Sequence, residues 1–370
     1  MRIVHKGPRG LLVCSGILMS FLWAGCKQAP MKKVWIQDGV EMVANPAVPL
    51  SRNQGRVLKL REHLRLKDTG EGFFFKYPAQ PEIGPDGSIF LTDQDQLLRF
   101  SSDGTFLGNL CKPGQGPGEF QGLQRYVLEG DEIQAFDRPA NKIVRMTMDG
   151  RWLDDRKVDD RFETMTRNWI VGEMINLPKV EGVLAEAKYN FYCTSRSDEA
   201  RTRAYVFLGK FFRKPPVMLA WDKLRWVPDA KRDLLFVSRT REYGIELLDL
   251  NEGRVTRSFR RVYPRVKYVM PENMKAIPAW SRPPAIEFES DILDLFVPGQ
   301  SLWVKTSTED PKKGVLIDVF DAKGEYLDSF YVRAKGSIMA VQGDVLFVKE
   351  TADDGTISIV LYKNLEYRPG

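Results

Sequence analysis

One pattern recurs through most of the chain and limits what it can fold into. An apolar run is followed by a polar turn, a second run, a Gly-containing turn and a third run. It is clearest in "GPDGSIFLTDQDQLLRFSSDGTFLGNL" (84–110) and "EGDEIQAFDRPANKIVRMTMDGRWLDDRKV" (129–158). There Ile89 aligns with Ile133, Asp93 with Asp137, and Asp103-Gly104 with Asp149-Gly150. Asp-Gly between alternating apolar runs signals a hairpin, because the tight turn needs positive φ. More drifted copies occupy 189–211, 232–260, 300–332 and 343–364. The leading strands begin at Ile89, Ile133, Tyr189, Leu234, Leu302 and Val345, at intervals of 44, 56, 45, 68 and 43 residues.

A period in the forties, built only of short antiparallel strands, belongs to the blades of a β-propeller rather than to helical solenoids. Six units predict an all-β, six-bladed β-propeller over 51–370. The last unit ends with little room for a fourth strand. The alternating stretch "GRVLKLREHLRL" (55–66) is expected to supply it, closing the ring and removing exposed strand edges. The rival reading is a two-domain all-β protein with a break near 160–185, where the pattern is poorest. Residues 26–50 are expected to form a tether, and 159–190 and 262–290 irregular insertions.

The first residues are of another kind. "MRIVHKGPRG" carries Arg2, Lys6 and Arg9 without an acid, and precedes the apolar "LLVCSGILMSFLW" and then "AGC". This is the layout of an export signal over 1–25, too short in its apolar part to span a bilayer, which takes about 20 residues. Its end resembles the bacterial lipobox, with Ala24-Gly25 before Cys26 and Leu22 one place earlier than usual. That resemblance implies that Cys26 is acylated and anchors the protein in the cell envelope outside the cytoplasm. Loss of the leader takes away three basic groups and lowers the formal charge from +6 to +3. No concentrated basic face remains, so no nucleic-acid partner is expected. Cys111 and Cys193 are left as a possible pair or as unpaired thiols.

The Gly-rich stretch "CKPGQGPGEFQG" (111–122) invites comparison with a phosphate loop, but it lacks the Lys-Ser/Thr ending and opens no helix. Joined to the segment 123–150, it resembles the NHL repeat: Gly114, Gly116, Gly118 and Phe120 as the turn and its anchor, then Asp137, Asn141 and Asp149-Gly150. Tyr77-Pro78, Asp86-Gly87, Asp93 and Asp103-Gly104 match the same template. The chain is thus similar to bacterial six-bladed propeller lipoproteins with NHL-like blades. Later blades replace the strand-end Asp with Ser238, Thr306 and Lys349, and the third offers Cys193.

Catalytic signals are sparse. The histidines are His5, in the leader, and His63, in the expected closing strand, so multi-histidine metal chemistry and a Ser-His-Asp site have little to draw on. No catalytic residue, metal or cofactor is assigned. Asp93 and Asp137 are candidates for a polar rim that binds ligand; the alternative is that they accept backbone N–H groups in turns. In the proline-rich loop 262–290, Arg265, Lys267, Tyr268, Trp280 and Arg282 are candidates for a stacking, cationic surface. The expected function is binding or scaffolding in the envelope, with a protein, peptide or glycan as ligand. The alternatives are a lyase or hydrolase acting on carbohydrate or peptide through axial carboxylates, and a dedicated subunit of an envelope complex. The sequence leaves the oligomeric state open.

Overall fold

The computed structural model describes residues 32–51, 54–67, 70, 72–158, 162–198, 200–215, 217–282 and 284–364. The leader and Cys26 lie outside the described residues.

Six antiparallel sheets follow one another as blades. Blade one comprises Pro78–Ile83, Ile89–Asp93, Gln96–Phe100 and Phe106–Asn109, and blade two Leu123–Glu129, Glu132–Asp137, Lys142–Thr147 and Trp152–Lys157. Blade three has five strands: Phe162–Met165, Trp169–Asn176, Leu184–Ser195, Thr202–Lys214 and Val217–Asp222. Blade four is built on Leu224–Asp229, Leu234–Arg239, Gly244–Asp249 and Arg254–Arg261, and blade five on Ile292–Phe296, Leu302–Asp310, Gly314–Phe320 and Tyr326–Val332. Blade six is Ser337–Gln342, Val345–Thr351, Ile357–Asn364 and, from the far N-terminal side, Leu60–Lys67.

Apolar clusters close the ring seam by seam, joining blades one to two, two to three, three to four, four to five, five to six and six to one. First strands of neighbouring blades meet around the axis, as those of blades six and one, two and three, and four and five do. The second strand of a blade is pressed on both faces by its neighbours. Ile89–Asp93 is wholly buried, and Leu234–Ser238 is equally so. A strand buried on both faces reads as a continuous apolar run.

Residues 33–67 run along the outer rim. Val40–Asn45 pairs in parallel with Arg254–Arg261 of blade four, and Lys33–Gln37 lies outside it. Val57–Leu58 then pairs in parallel with the last strand of blade five, before Leu60–Lys67 completes blade six. The expectation of a tether is therefore corrected over 32–50, while 26–31 lie outside the described residues. Asp38 and Gly39 take φ of 50° and 77°, the positive values a two-residue hairpin turn requires. Val43 is buried against Phe259 and Tyr326, which fixes the hairpin to the disc.

Blade three brings two further corrections. Tyr189 stands on its third strand; the second is Trp169–Asn176, so the stretch read as an irregular insertion contains the first two strands of the blade. Cys193 also lies on that third strand, and the place matching Asp137 beside the first strand falls to Gly172. The period failed here because the hairpin of Leu184–Ser195 and Thr202–Lys214 is far longer than its counterparts. Among the described residues no helix is long and apolar enough to cross a membrane.

Candidate functional site

The first strands carry the site, and most of them are irregular. Register breaks fall between Ala79 and Glu82, Leu123 and Arg125, Phe162 and Thr164, Ile292 and Asp294, and Ile338 and Ala340. Among the described residues, only blade four keeps its first strand in register throughout. A bulge sets extra residues against one partner and re-aims side chains, often beside functional sites. Here the bulges carry Gln80, Gln124 and Glu163. Gln80 adopts φ of 50°, an uncommon conformation for a residue with a side chain. Its carbonyl accepts a hydrogen bond of 2.6 Å from the Tyr126 hydroxyl of blade two, which holds the bulge in place.

Between these strands lies a cavity of about 600 Å³. Its charged lining comprises Arg125, Glu163, Glu173, Lys223, Arg225 and Asp294, with Gln80 beside them. Tyr126, Tyr189 and Trp226 supply aromatic wall. Five blades contribute, and all the charged groups except Lys223 stand on strands. The Arg125 Nε stands 2.6 Å from Glu163 Oε2. The contact is an ion pair whose angles fall short of a hydrogen bond, and both atoms are otherwise without a partner. Gln80 Oε1 is buried and unpartnered as well. Buried polar atoms without partners are costly, and each calls for a reason. The Arg225 Nε donates to the Leu293 carbonyl at 3.0 Å, which orients that guanidinium across from blade five.

Burial shifts the protonation of this lining. It pushes the Glu163 carboxyl up, opposed by Arg125 and Arg138. It pushes Glu173 up as well, against the Trp226 side chain that hydrogen-bonds to it. The Lys223 ammonium is pushed down, by burial and then by neighbouring Arg225. The cavity thus presents acids and bases side by side in partly desolvated surroundings.

The residues expected from the sequence lie elsewhere. Asp93 is buried, and its oxygens accept the N–H groups of Lys76 (2.8 Å) and Tyr77 (2.9 Å). Asp137 accepts those of Gln121 (2.9 Å), Gly122 (3.2 Å) and Ala140 (3.4 Å). Each carboxylate latches the segment leading into its blade, and neither lines the axial cavity. In the Gly-rich turn, Gly116 N–H donates to Glu119 Oε2 at 2.8 Å, and a Cβ on Gly114 would collide with that carboxylate. Gly118 has φ of 73° and packs on Trp152. Phe120 is buried among Phe90 and Leu97 of blade one and Ile133 of blade two, as an anchor between blades.

The loop candidates do not converge. Arg265 forms an ion pair with Asp291 at 3.0 Å and edges a second cavity, of about 470 Å³, beside blade four. Lys267 pairs with Phe288 in an isolated bridge, and Tyr268 N–H bonds the Glu287 carbonyl. Trp280 is exposed beneath Lys214, and Arg282 donates to the carbonyls of Ile277 and Lys275, which holds the loop itself. Cys111 and Cys193 are buried free thiols, each pushed up to about 12 by burial. His63 is exposed on the fourth strand of blade six, the strand farthest from the axis.

A family model described as a 6-bladed beta-propeller matches residues 68–208, which is blades one, two and most of three. The fold is a six-bladed β-propeller. Solved structures agree. An exported protein from Bacteroides fragilis is 13% identical with a TM-score of 0.51, over 88% of this chain and 100% of that one. A member of the duf4221 family from Bacteroides vulgatus is 10% identical with a TM-score of 0.50, over 84% and 99%. At such identities the likeness is one of fold. No curated protein matches in sequence. Arg125 and Glu163 had no signal in the sequence, since they meet only when blades two and three stand side by side.

Proposed function

We propose that this propeller is an exported, lipid-anchored binding module of the bacterial envelope, and that its axial cavity captures a small polar ligand. The leader and the lipobox-like "AGC" support export and anchoring. The observation that carries the binding reading is the buried, unpartnered Gln80 amide oxygen together with the Arg125–Glu163 ion pair, whose facing atoms make no hydrogen bond, all raised on bulged strands. A ligand with both an amino and a carboxylate group, such as a short peptide or a charged glycan fragment, complements that lining. The cavity falls within the usual size range of small-molecule sites, about 300–1,000 Å³.

Titration calorimetry of the protein against short peptides and amino- or carboxy-bearing glycan fragments tests the proposal. Binding is expected for a ligand with both charges, falling at least about tenfold in Arg125→Ala and in Glu163→Gln, the loss of one charged hydrogen bond. Equal affinity in both variants removes the axial site. Product formation that vanishes in Glu163→Gln replaces the binding reading with a hydrolytic one.

A further inference from the structure

The outermost strand of blade four breaks the usual economy of an edge. Lys33–Gln37, "KVWIQ", is exposed along its whole length and, among the described residues, has a partner strand on one side only. Three consecutive apolar residues face solvent: Val34 at 53%, Trp35 at 37% and Ile36 at 68% exposure. Successive side chains of a strand point to opposite faces. Val34 and Ile36 stand opposite Val43 and Glu41 on one face, where Glu41 is tied to Arg257, and Trp35 stands opposite Met42 on the other, so the fin carries exposed apolar side chains on both sides. Water on either face would select polar residues there, and a bare apolar edge invites unwanted strand pairing.

Position and charge indicate what covers it. Lys27, Lys32 and Lys33 flank the strand on its N-terminal side, with no acid between Cys26 and Asp38. From Cys26 to Val34 an extended chain reaches at most roughly 30 Å. Val262, also exposed, continues the apolar rim, its N–H bonded to the Asn45 carbonyl. Tryptophan with aliphatic residues, bordered by lysines, is the composition that settles at a bilayer interface over anionic headgroups.

We propose that the fin formed by Lys33–Gln37 is a membrane seat: Val34, Trp35 and Ile36 enter the headgroup–acyl boundary while Lys33 meets anionic lipid, Lys32 being paired with Glu325 at 3.1 Å. The inference rests on the lipid-anchor reading, which brings the fin to the bilayer. Because the fin is the rim of blade four, the disc stands edge-on, and both of its flat faces stay open to the aqueous compartment.

The test uses full-length protein expressed in a bacterium, purified from its membranes and reconstituted into phosphatidylethanolamine–phosphatidylglycerol vesicles, with and without bromine on the acyl chains. Brominated lipid is expected to quench the emission of a single tryptophan in the wild type and in Trp280→Phe, and none in Trp35→Phe. Ile36→Glu should abolish the same quench while leaving the circular dichroism spectrum unchanged. Quench of equal size in Trp35→Phe, or no quench in the wild type, overturns the seat. A dimer dissolved by Ile36→Glu, with no quench, assigns the edge to a second copy and also overturns it. Radiolabelled palmitate separates the two readings. Label in Cys26 with quench unchanged by Trp35→Phe keeps the anchor and removes the seat. Quench through Trp35 without label keeps the seat and removes the anchor.

Discussion

The seam between blades four and five and the seam between blades two and three do the same job by different means. The first buries thirteen apolar residues, the second only four among the described residues. At the thick seam a buried ion pair joins Arg261 of blade four to Asp318 of blade five at 2.7 Å, with side chains 3% and 0% exposed. Asp318 also accepts the hydroxyls of Tyr243 (2.6 Å), Tyr326 (2.7 Å) and Ser329 (3.0 Å), and Arg261 lies over three tyrosine rings. Every lone pair of the carboxylate has a donor. At the thin seam the ties are ion pairs with at least one partly exposed partner, Arg125 with Glu163 and Arg196 with Glu129, and one of them faces the axial cavity. The rigid seam carries the added rim strands; the thin one carries the site. A binding site gains from groups that are held yet incompletely satisfied, and a closure seam from the opposite.

The largest effect is expected from breaking the rigid seam. Asp318→Ala strands the Arg261 guanidinium in the core and should cost about 3–5 kcal/mol in denaturant unfolding, whereas replacing both partners with leucine should recover much of it. A loss below about 1 kcal/mol would mean that the tyrosines hold the seam without the charge. Next come the latches of blades one and two. Asp137→Ala and Asp93→Ala each remove the acceptor of two or three partly buried N–H groups and should cost roughly 1–3 kcal/mol, with ligand affinity unchanged. Affinity lost at full stability would return both residues to the ligand.

Between these extremes stands the seam of blades one and two, where burial pushes the Glu82 carboxyl up to about 7. The folded state then holds a proton that the unfolded chain has released. Stability should therefore be greatest near pH 4.5, fall as pH rises towards 7, and level off above it, by roughly 1–3 kcal/mol in total. Urea midpoints against pH should show this slope in the wild type and lose it in Glu82→Gln. The smallest effect belongs to the thin seam. Glu129→Ala, which breaks the Arg196 pair, should cost under about 1 kcal/mol. A larger loss would show that the polar ties carry the seam.

The second strands were legible in every blade but the third, because neighbours cover both their faces, which forces an unbroken apolar run such as "SIFLTD" or "DLLFVS". The turns between them were legible because Asp-Gly and its relatives accept positive φ. Asp38-Gly39 carries the same signal between "KKVWIQ" and "VEMVAN", so the rim hairpin was within reach of the criterion that found the blades. The first strands were not. They are short, bulged and mixed in polarity, because one end packs in a seam while the other looks into the axial cavity. Gln80 gives no local hint of its left-handed backbone, which the Tyr126 hydroxyl of another blade holds.

The sequence by itself determined the number of blades and most of their turns. It also identified Phe120 as an anchor, because those features rest on apolar period and turn chemistry within a few residues. Only the tertiary structure decided that Asp93 and Asp137 latch backbone, that Arg265 pairs with Asp291, and that Arg125, Glu163 and Gln80 share one cavity. Those facts depend on which strands ring closure brings together, and contacts between distant residues leave no periodic trace in the chain.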